Sequence, residues 1–375
     1  MTGKYCFFMI TKPALNNKQK NVTDAFSADD FEKIFENQNS DCTLESVSKK
    51  DAIWDSHRRN TEIVEQLYSI NPEYAKYAER LSNCSNFLFF GHADQQLKLK
   101  KSSFCRVRYC PVCQWRKSLK WKVMMHDALL DLLPQYPNHR FIFLTLTVKN
   151  PPIGELKNTL QFMNNAWKKL TKRKEFGVVD GWVRTIEVTR DTKNPNTHAH
   201  PHFHCLLMVK PSYFKKNYIK QMEWVRLWAD CLNVDYLPSV NIQTIKPKNK
   251  NSDSYRSSIA ETLKYSIKPD EIFRGILNAS PSDAKKAIEW FFELTKQTHK
   301  MRFVATGGLF KNALKAEEQM TDDDLVVTGN DDDPSDNSDN EIARKRVCFA
   351  YKKSVQKYTH RPDLDYRDRP KNHLT

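Results

Sequence analysis

No apolar run in the 375 residues approaches the roughly 18 consecutive apolar positions that a membrane helix needs. The best stretch, 141–148, is interrupted by Thr145 and Thr147, and the N-terminal run 5–10 is too brief for a signal peptide. The expectation is a cytoplasmic chain with no membrane partner. No Gly-rich phosphate loop occurs, so the chain carries no P-loop motor of its own. Internal repeats are absent as well. The nine cysteines are odd in number and unevenly spread, which argues against a disulfide framework and for a reducing compartment. One further absence is local: between Lys98 and Lys122 there is no acidic residue at all.

What fills that segment is Lys98, Lys100, Lys101, Arg106, Arg108, Arg116, Lys117, Lys120 and Lys122, interleaved with Phe104, Tyr109, Trp115 and Trp121. With a formal net charge of +15, the chain suits a polyanionic partner, and a basic stripe with aromatic neighbours suits a nucleic acid. Arg106, Arg108, Arg116, Lys117 and Lys120 are the candidate DNA contacts. Within the same stripe, Cys105-x4-Cys110-Pro-Val-Cys113, with Cys84 upstream, offers four thiolates. Cys-Pro-x-Cys forms a tight knuckle suited to tetrahedral Zn2+, although the spacing from Cys84 is looser.

Hydrophobic periodicity divides the chain into five parts. Residues 1–80 read as a partly disordered, partly helical region, with helical spacing at Ile63, Leu67, Ile70 and Tyr74 broken by Asn71-Pro72. Residues 81–135 are the cysteine-rich basic region, ending in a helix predicted over 115–133 and stopped before Pro134. Residues 136–320 alternate strands and helices: strands over 140–148, 182–189, 201–209 and 240–245, and helices over 156–172, 218–232, 254–267 and 281–295. The acidic, Ser/Asn-rich block 321–343 reads as a solvated linker, and 344–375 as a basic tail. Interspersed strands and helices with a hairpin imply an α+β fold whose central sheet is mainly antiparallel.

The sharpest chemical signal is His200-Pro201-His202-Phe203-His204, which leads into an apolar run. On a strand, His202 and His204 project from one face about 6.5 to 7 Å apart, which suits a divalent metal. His200 shares that face and is a further candidate ligand, ranked below the other two because it lies nearest the loop. A hairpin centred near residue 195 places Glu187 opposite His204, completing a set of two imidazoles and one carboxylate. Open positions on such a set suit Mn2+ or Mg2+, Mn2+ being the better match for nitrogen ligands. Further on, Glu261, Tyr265 and Lys268 fall on one helical face, with Lys264 beside them. Taken alone, that stretch is an ordinary amphipathic helix.

Taken together, Phe-Leu-Thr-Leu-Thr at 143–147, His-Pro-His-Phe-His at 200–204 and Glu-x-x-Lys-Tyr-x-x-Lys at 261–268 resemble the rolling-circle replication initiators of small bacterial plasmids, members of the HUH endonuclease superfamily. The resemblance covers roughly residues 84–268. It implies a central antiparallel sheet with the histidine strand in its middle, and His202, His204 and Glu187 as metal ligands. It also implies Tyr265 as the nucleophile that keeps a 5′-phosphotyrosine, and Glu261 as the group that activates water to end the cycle. Origin DNA, a host helicase and a host DNA polymerase would be the partners. An HUH-type transposase would share the same chemistry, and a zinc-dependent DNA-binding regulator without catalysis would share the cysteines.

Overall fold

The computed structural model describes residues 27–36, 42–93, 95–246, 280–314, 321–326 and 341–368. The elements in chain order are α1 (Ala28–Glu36), α2 (Leu44–Val47), α3 (Ile53–Ser69), α4 (Ala75–Ser82), β1 (Phe87–Ala93), β2 (Gln96–Lys101), α5 (Pro111–Gln135), β3 (Arg140–Thr147), α6 (Leu156–Leu170), β4 (Val179–Arg190), β5 (Ala199–Val209), α7 (Gln221–Leu232), β6 (Val240–Thr244), α8 (Pro281–Gln297), β7 (Val304–Gly308), α9 (Phe310–Ala313), α10 (Asp322–Val326), β8 (Lys345–Lys352), β9 (Lys357–His360) and β10 (Tyr366–Arg367). The fold is α+β, with antiparallel sheets flanked by helices.

The larger sheet runs β6-β3-β5-β4-β7, and every neighbouring pair in it is antiparallel. Strands β3 and β4 are therefore parallel to each other, one strand apart, and α6 carries the chain across between them. Hairpin partner β5 fills the slot, so the histidine strand is central and hydrogen-bonded on both edges. Central placement explains its sequence: Cys205 to Val209 are all buried, as an almost unbroken apolar run requires. One face of this sheet is closed by α6 and α7. Phe203 meets Trp228, the Arg184 guanidinium lies 4.2 Å from the Phe203 ring centre, and Trp228 Nε1 donates to the Thr147 carbonyl at 2.7 Å. The opposite face carries the histidines.

The second sheet runs β10-β8-β1-β2, with β9 on β8. It overturns the reading of 344–375 as a tail: β8 pairs with β1 from Phe87↔Ala350 to Phe90↔Val347, and Val347, Cys348 and Phe349 are fully buried. The charged start of β8 disguises it in the sequence, because Lys345 and Arg346 are also buried, paired with Glu32 and Asp368. The acidic linker needs the same correction over its described part. Residues 322–326 form α10, whose Leu325 and Val326 are buried against the α5 side of the molecule.

Helix α5 also differs from expectation at both ends. It starts at Pro111, where proline's missing N–H costs nothing and the Cys110 Sγ accepts from Cys113 N, and it runs through Pro134 to Gln135. Tyr136 N still reaches the Leu132 carbonyl at 3.0 Å, so the helical bonding resumes past the proline, whose own missing N–H removes one bond in the last turn. The predicted helix over 254–267 lies outside the described residues.

Candidate metal centre and cysteine knuckle

Strand alternation aims Glu187, His202 and His204 at the same face, and the three ligand atoms lie within 4.8 Å of one another. Glu187 Oε2 is 2.6 Å from His204 Nε2 and 3.3 Å from His202 Nδ1. The register differs from the expected one: Glu187 stands opposite His202, and His204 faces Thr185. Hairpin residues 191–198 separate Arg190 from its partner Ala199, which shifts the loop centre by one residue and the pairing by two. A shift of two keeps every side chain on its face, so the constellation survives.

The surroundings hold these groups in place. Thr145, opposite His204 on β3, brings its hydroxyl within 3.4 Å of His204 Nδ1, and Phe143 stacks on the His204 ring at 5.5 Å and 11°. Sequence reasoning missed both residues, although same-face alternation in Phe-Leu-Thr-Leu-Thr could have found them. Glu187 is buried, which alone would raise its carboxyl, but the hydrogen bonds from His202 and His204 outweigh burial and hold it well below the ordinary range. An ionised carboxylate between two imidazoles, with the imidazole edges partly exposed, is a donor set that fits Mn2+ or Mg2+ with room for outside ligands. His200 falls outside this three-residue group. Its Nδ1 bonds to Asn150 at 2.6 Å, and burial, then His202, push its basicity below the usual imidazole value.

The cysteine cluster passes a geometric test for zinc. Sγ–Sγ separations are 3.6 Å for Cys84–Cys110, Cys84–Cys113 and Cys105–Cys113. A tetrahedron of four sulfurs around Zn2+ at about 2.3 Å has edges of about 3.8 Å, whereas a disulfide would bring two sulfurs to about 2.05 Å. All four cysteines are buried. Backbone N–H groups point at the sulfurs, as metal-bound thiolates require: Cys105 N to Cys84, Arg106 N to Cys113 and Val107 N to Cys105. Arg106 adopts φ +54°, the left-handed turn that bends this loop around the cluster. Burial raises the Cys105 and Cys113 thiols. Cys110 meets the same burial, but hydrogen bonds from the other three cysteines converge on it and hold it low.

The basic stripe is less open than its sequence implies. Arg116 is buried, donating from Nε to the Leu325 carbonyl and from Nη2 to that of Val326, both at 2.7 Å, so it anchors α10. Arg108 donates to the Met301 carbonyl and lies over Phe303. Arg106 and Lys120 stay nearer solvent, 3.7 Å from Asp322 and 3.9 Å from Asp324. Lys117 is partly exposed. Tyr265, Glu261, Lys264 and Lys268 lie outside the described residues.

An antiparallel sheet with two histidines on its middle strand and a carboxylate on the neighbouring β4, together with a four-cysteine knuckle, defines an α+β protein with two groups of side chains able to hold metal ions. Comparison with known proteins gives the family. Residues 96–359 match the Rep_1 family, described as Replication protein. "Protein rep" of Streptococcus pneumoniae serotype 2 is 34% identical over 262 residues, covering 68% of this chain and 77% of its own. That of Lentilactobacillus hilgardii is 33% identical, covering 77% and 89%, and that of Staphylococcus aureus is 40% identical, covering 54% and 85%. No solved structure matches the chain. The chain belongs to this replication-protein family, in keeping with its resemblance to plasmid replication initiators.

Proposed function

We propose that the protein initiates rolling-circle replication of a bacterial plasmid by binding the double-strand origin and nicking one strand through Tyr265, later rejoining it. The observation that supports this most is the Glu187–His202–His204 constellation, formed by the middle strand β5 and its neighbour β4. In this reading Tyr265 Oη attacks the scissile phosphorus, the bond from phosphorus to the 3′-oxygen breaks, and the departing oxygen takes up a proton to leave a 3′-hydroxyl. The 5′-phosphate stays on the tyrosine, so bond energy is retained for rejoining without ATP. Lys264 and Lys268 lower the cost of the phenolate, which is otherwise formed only near pH 10. Glu261 acts as base towards the water or hydroxyl that ends the cycle.

Glu187, His202 and His204 would hold a divalent ion, which when bound would act as a Lewis acid towards the phosphate and offset charge in the transition state. Zn2+ in the cysteine knuckle braces the neighbouring DNA-contacting surface, where Arg106, Lys117 and Lys120 meet phosphates. Because the chain has no P-loop, unwinding and synthesis fall to a host helicase and a host DNA polymerase.

The test mixes the full chain, Mn2+ and single-stranded oligonucleotides tiling the plasmid origin, and separates covalent adducts on a denaturing gel. A band that needs Mn2+ and disappears in Glu187→Gln and in Tyr265→Phe supports the proposal. An adduct still formed by Tyr265→Phe removes the nucleophile, and binding without any cleavage favours a regulator.

A further inference from the structure

His200 sits two residues before His202 on β5, its ring 4.1 Å from the His202 ring and nearly perpendicular to it at 82°. It lies outside the three-residue ligand group, yet it is not idle. Its Nδ1 is 2.6 Å from Asn150 Oδ1, and Asn150 Nδ2 is 2.9 Å from Asp191 Oδ1. Asp191 is buried, and its other oxygen receives Asn194 N at 3.0 Å and Asn194 Nδ2 at 3.2 Å. Burial would raise this carboxyl, but the N–H donors of Lys193, Asn194 and Asn150 outweigh it and keep Asp191 below the ordinary range.

Proton accounting then fixes the chain of bonds. An ionised carboxylate can only accept, so Asn150 must present its NH2 to Asp191. That turns the Asn150 carbonyl oxygen to His200, and because this oxygen also can only accept, His200 Nδ1 must carry a proton. In a neutral imidazole the other nitrogen is then bare. We propose that Asp191 and Asn150 form a tautomer lock that leaves His200 Nε2 as a hydrogen-bond acceptor for water or hydroxyl held at the Glu187–His202–His204 centre. Asp191 and Asn150 are thus positioning residues. They act from the loop that laces β5 to residues 150–153, where Ala199 N bonds to the Pro151 carbonyl and Ile153 N to that of Thr197.

The inference rests on the metal-site reading above, and two measurements on the full chain keep the two separable. In 15N-histidine-labelled metal-free protein, long-range proton–nitrogen correlation reads the tautomer directly. His200 is expected as Nδ1–H, moving towards Nε2–H in Asn150→Ala. The second measurement is Mn2+ titration by calorimetry or by the free-ion spin-resonance signal. Asn150→Ala should weaken Mn2+ binding about tenfold, the lower end for groups that support metal ligands, with no further loss when added to His200→Ala. A merely structural Asn150 would weaken binding equally in both backgrounds, which would overturn the lock. So would an Nε2–H His200 in the unaltered protein, or unchanged affinity in Asn150→Ala. Glu187→Ala tests the centre alone: Mn2+ affinity that survives it refutes the metal site, whatever the tautomer.

Discussion

Arg116 separates two accounts of the basic stripe, because its sequence context marks it as a DNA contact while its surroundings make it an interior anchor. Arg116→Ala removes two charge-assisted bonds, to the Leu325 and Val326 carbonyls, and leaves both oxygens without that donor. At about 1 to 3 kcal/mol for each buried group left unsatisfied, the loss is about 2 to 6 kcal/mol. Release and hydration of α10 would bring it towards the lower figure. The guanidinium also lies 5.2 Å from the Trp54 ring and 5.3 Å from Trp115, so indole fluorescence should follow the change.

Urea unfolding by fluorescence should therefore show a clearly lower midpoint in Arg116→Ala. DNA affinity, measured by anisotropy over a salt series, should keep its slope. Lys117→Ala and Lys120→Ala should do the reverse: stability within about 0.5 kcal/mol of the parent, and a salt slope smaller by roughly 0.7 to 0.9 for each phosphate that the lysine no longer neutralises. If Arg116→Ala unfolded like the parent and its salt slope fell as in the lysine variants, the anchoring argument would be wrong.

Three other expectations concern different parts of the fold. Burial lifts the Asp55 carboxyl to about 6 even though it accepts from Tyr358 N at 2.8 Å. The folded state thus binds this proton more tightly than the unfolded chain, and stability contributed at low pH is lost as pH rises from about 4 through 6. Asp55→Asn should flatten that stretch of the pH–stability curve and be more stable at pH 7 by about 1 to 3 kcal/mol; a profile unchanged in the variant would contradict it. Purified protein should hold one zinc per chain by atomic emission. Cys105→Ser should lose the zinc and lower the unfolding temperature, whereas a metal-free parent of undiminished stability would argue for four plain buried thiols. Asp322→Asn combined with Asp324→Asn removes the carboxylates beside Arg106 and Lys120. DNA affinity should rise a few-fold at low salt and converge with the parent at high salt, and an unchanged low-salt affinity would show that these acids do not oppose DNA.

The face that carries Glu187, His202 and His204 is legible from sequence because period-two alternation survives errors of register. Loop length alone puts Glu187 opposite His204 instead of His202, yet on the right face. The second sheet is not legible. Its central strands β1 and β8 lie some 250 residues apart, and a short run such as Phe87-Leu-Phe-Phe90 has no periodicity that distinguishes a strand from a buried helical turn. Charge misleads twice, at Lys345 and Arg346, whose partners Glu32 and Asp368 cannot be paired with them from the sequence, and at Arg116, whose partners are backbone carbonyls. The four cysteines are legible as a set, because Cys-Pro-x-Cys fixes two thiols at the start of a helix and a short loop supplies the third. Asn150 and Asp191 carry no signal, since their roles depend on a hydrogen-bond chain that closes only in three dimensions.

The central claim is that Tyr265 takes the phosphate while Glu187, His202 and His204 hold the ion. Mapping the modified residue tests it most directly: trap the Mn2+-dependent adduct with an origin oligonucleotide, digest both components, and sequence the nucleotide-bearing peptide by tandem mass spectrometry. The mass of a nucleotide is expected on Tyr265. Attachment at any other residue, or cleavage that leaves no nucleotide on the protein, would contradict it.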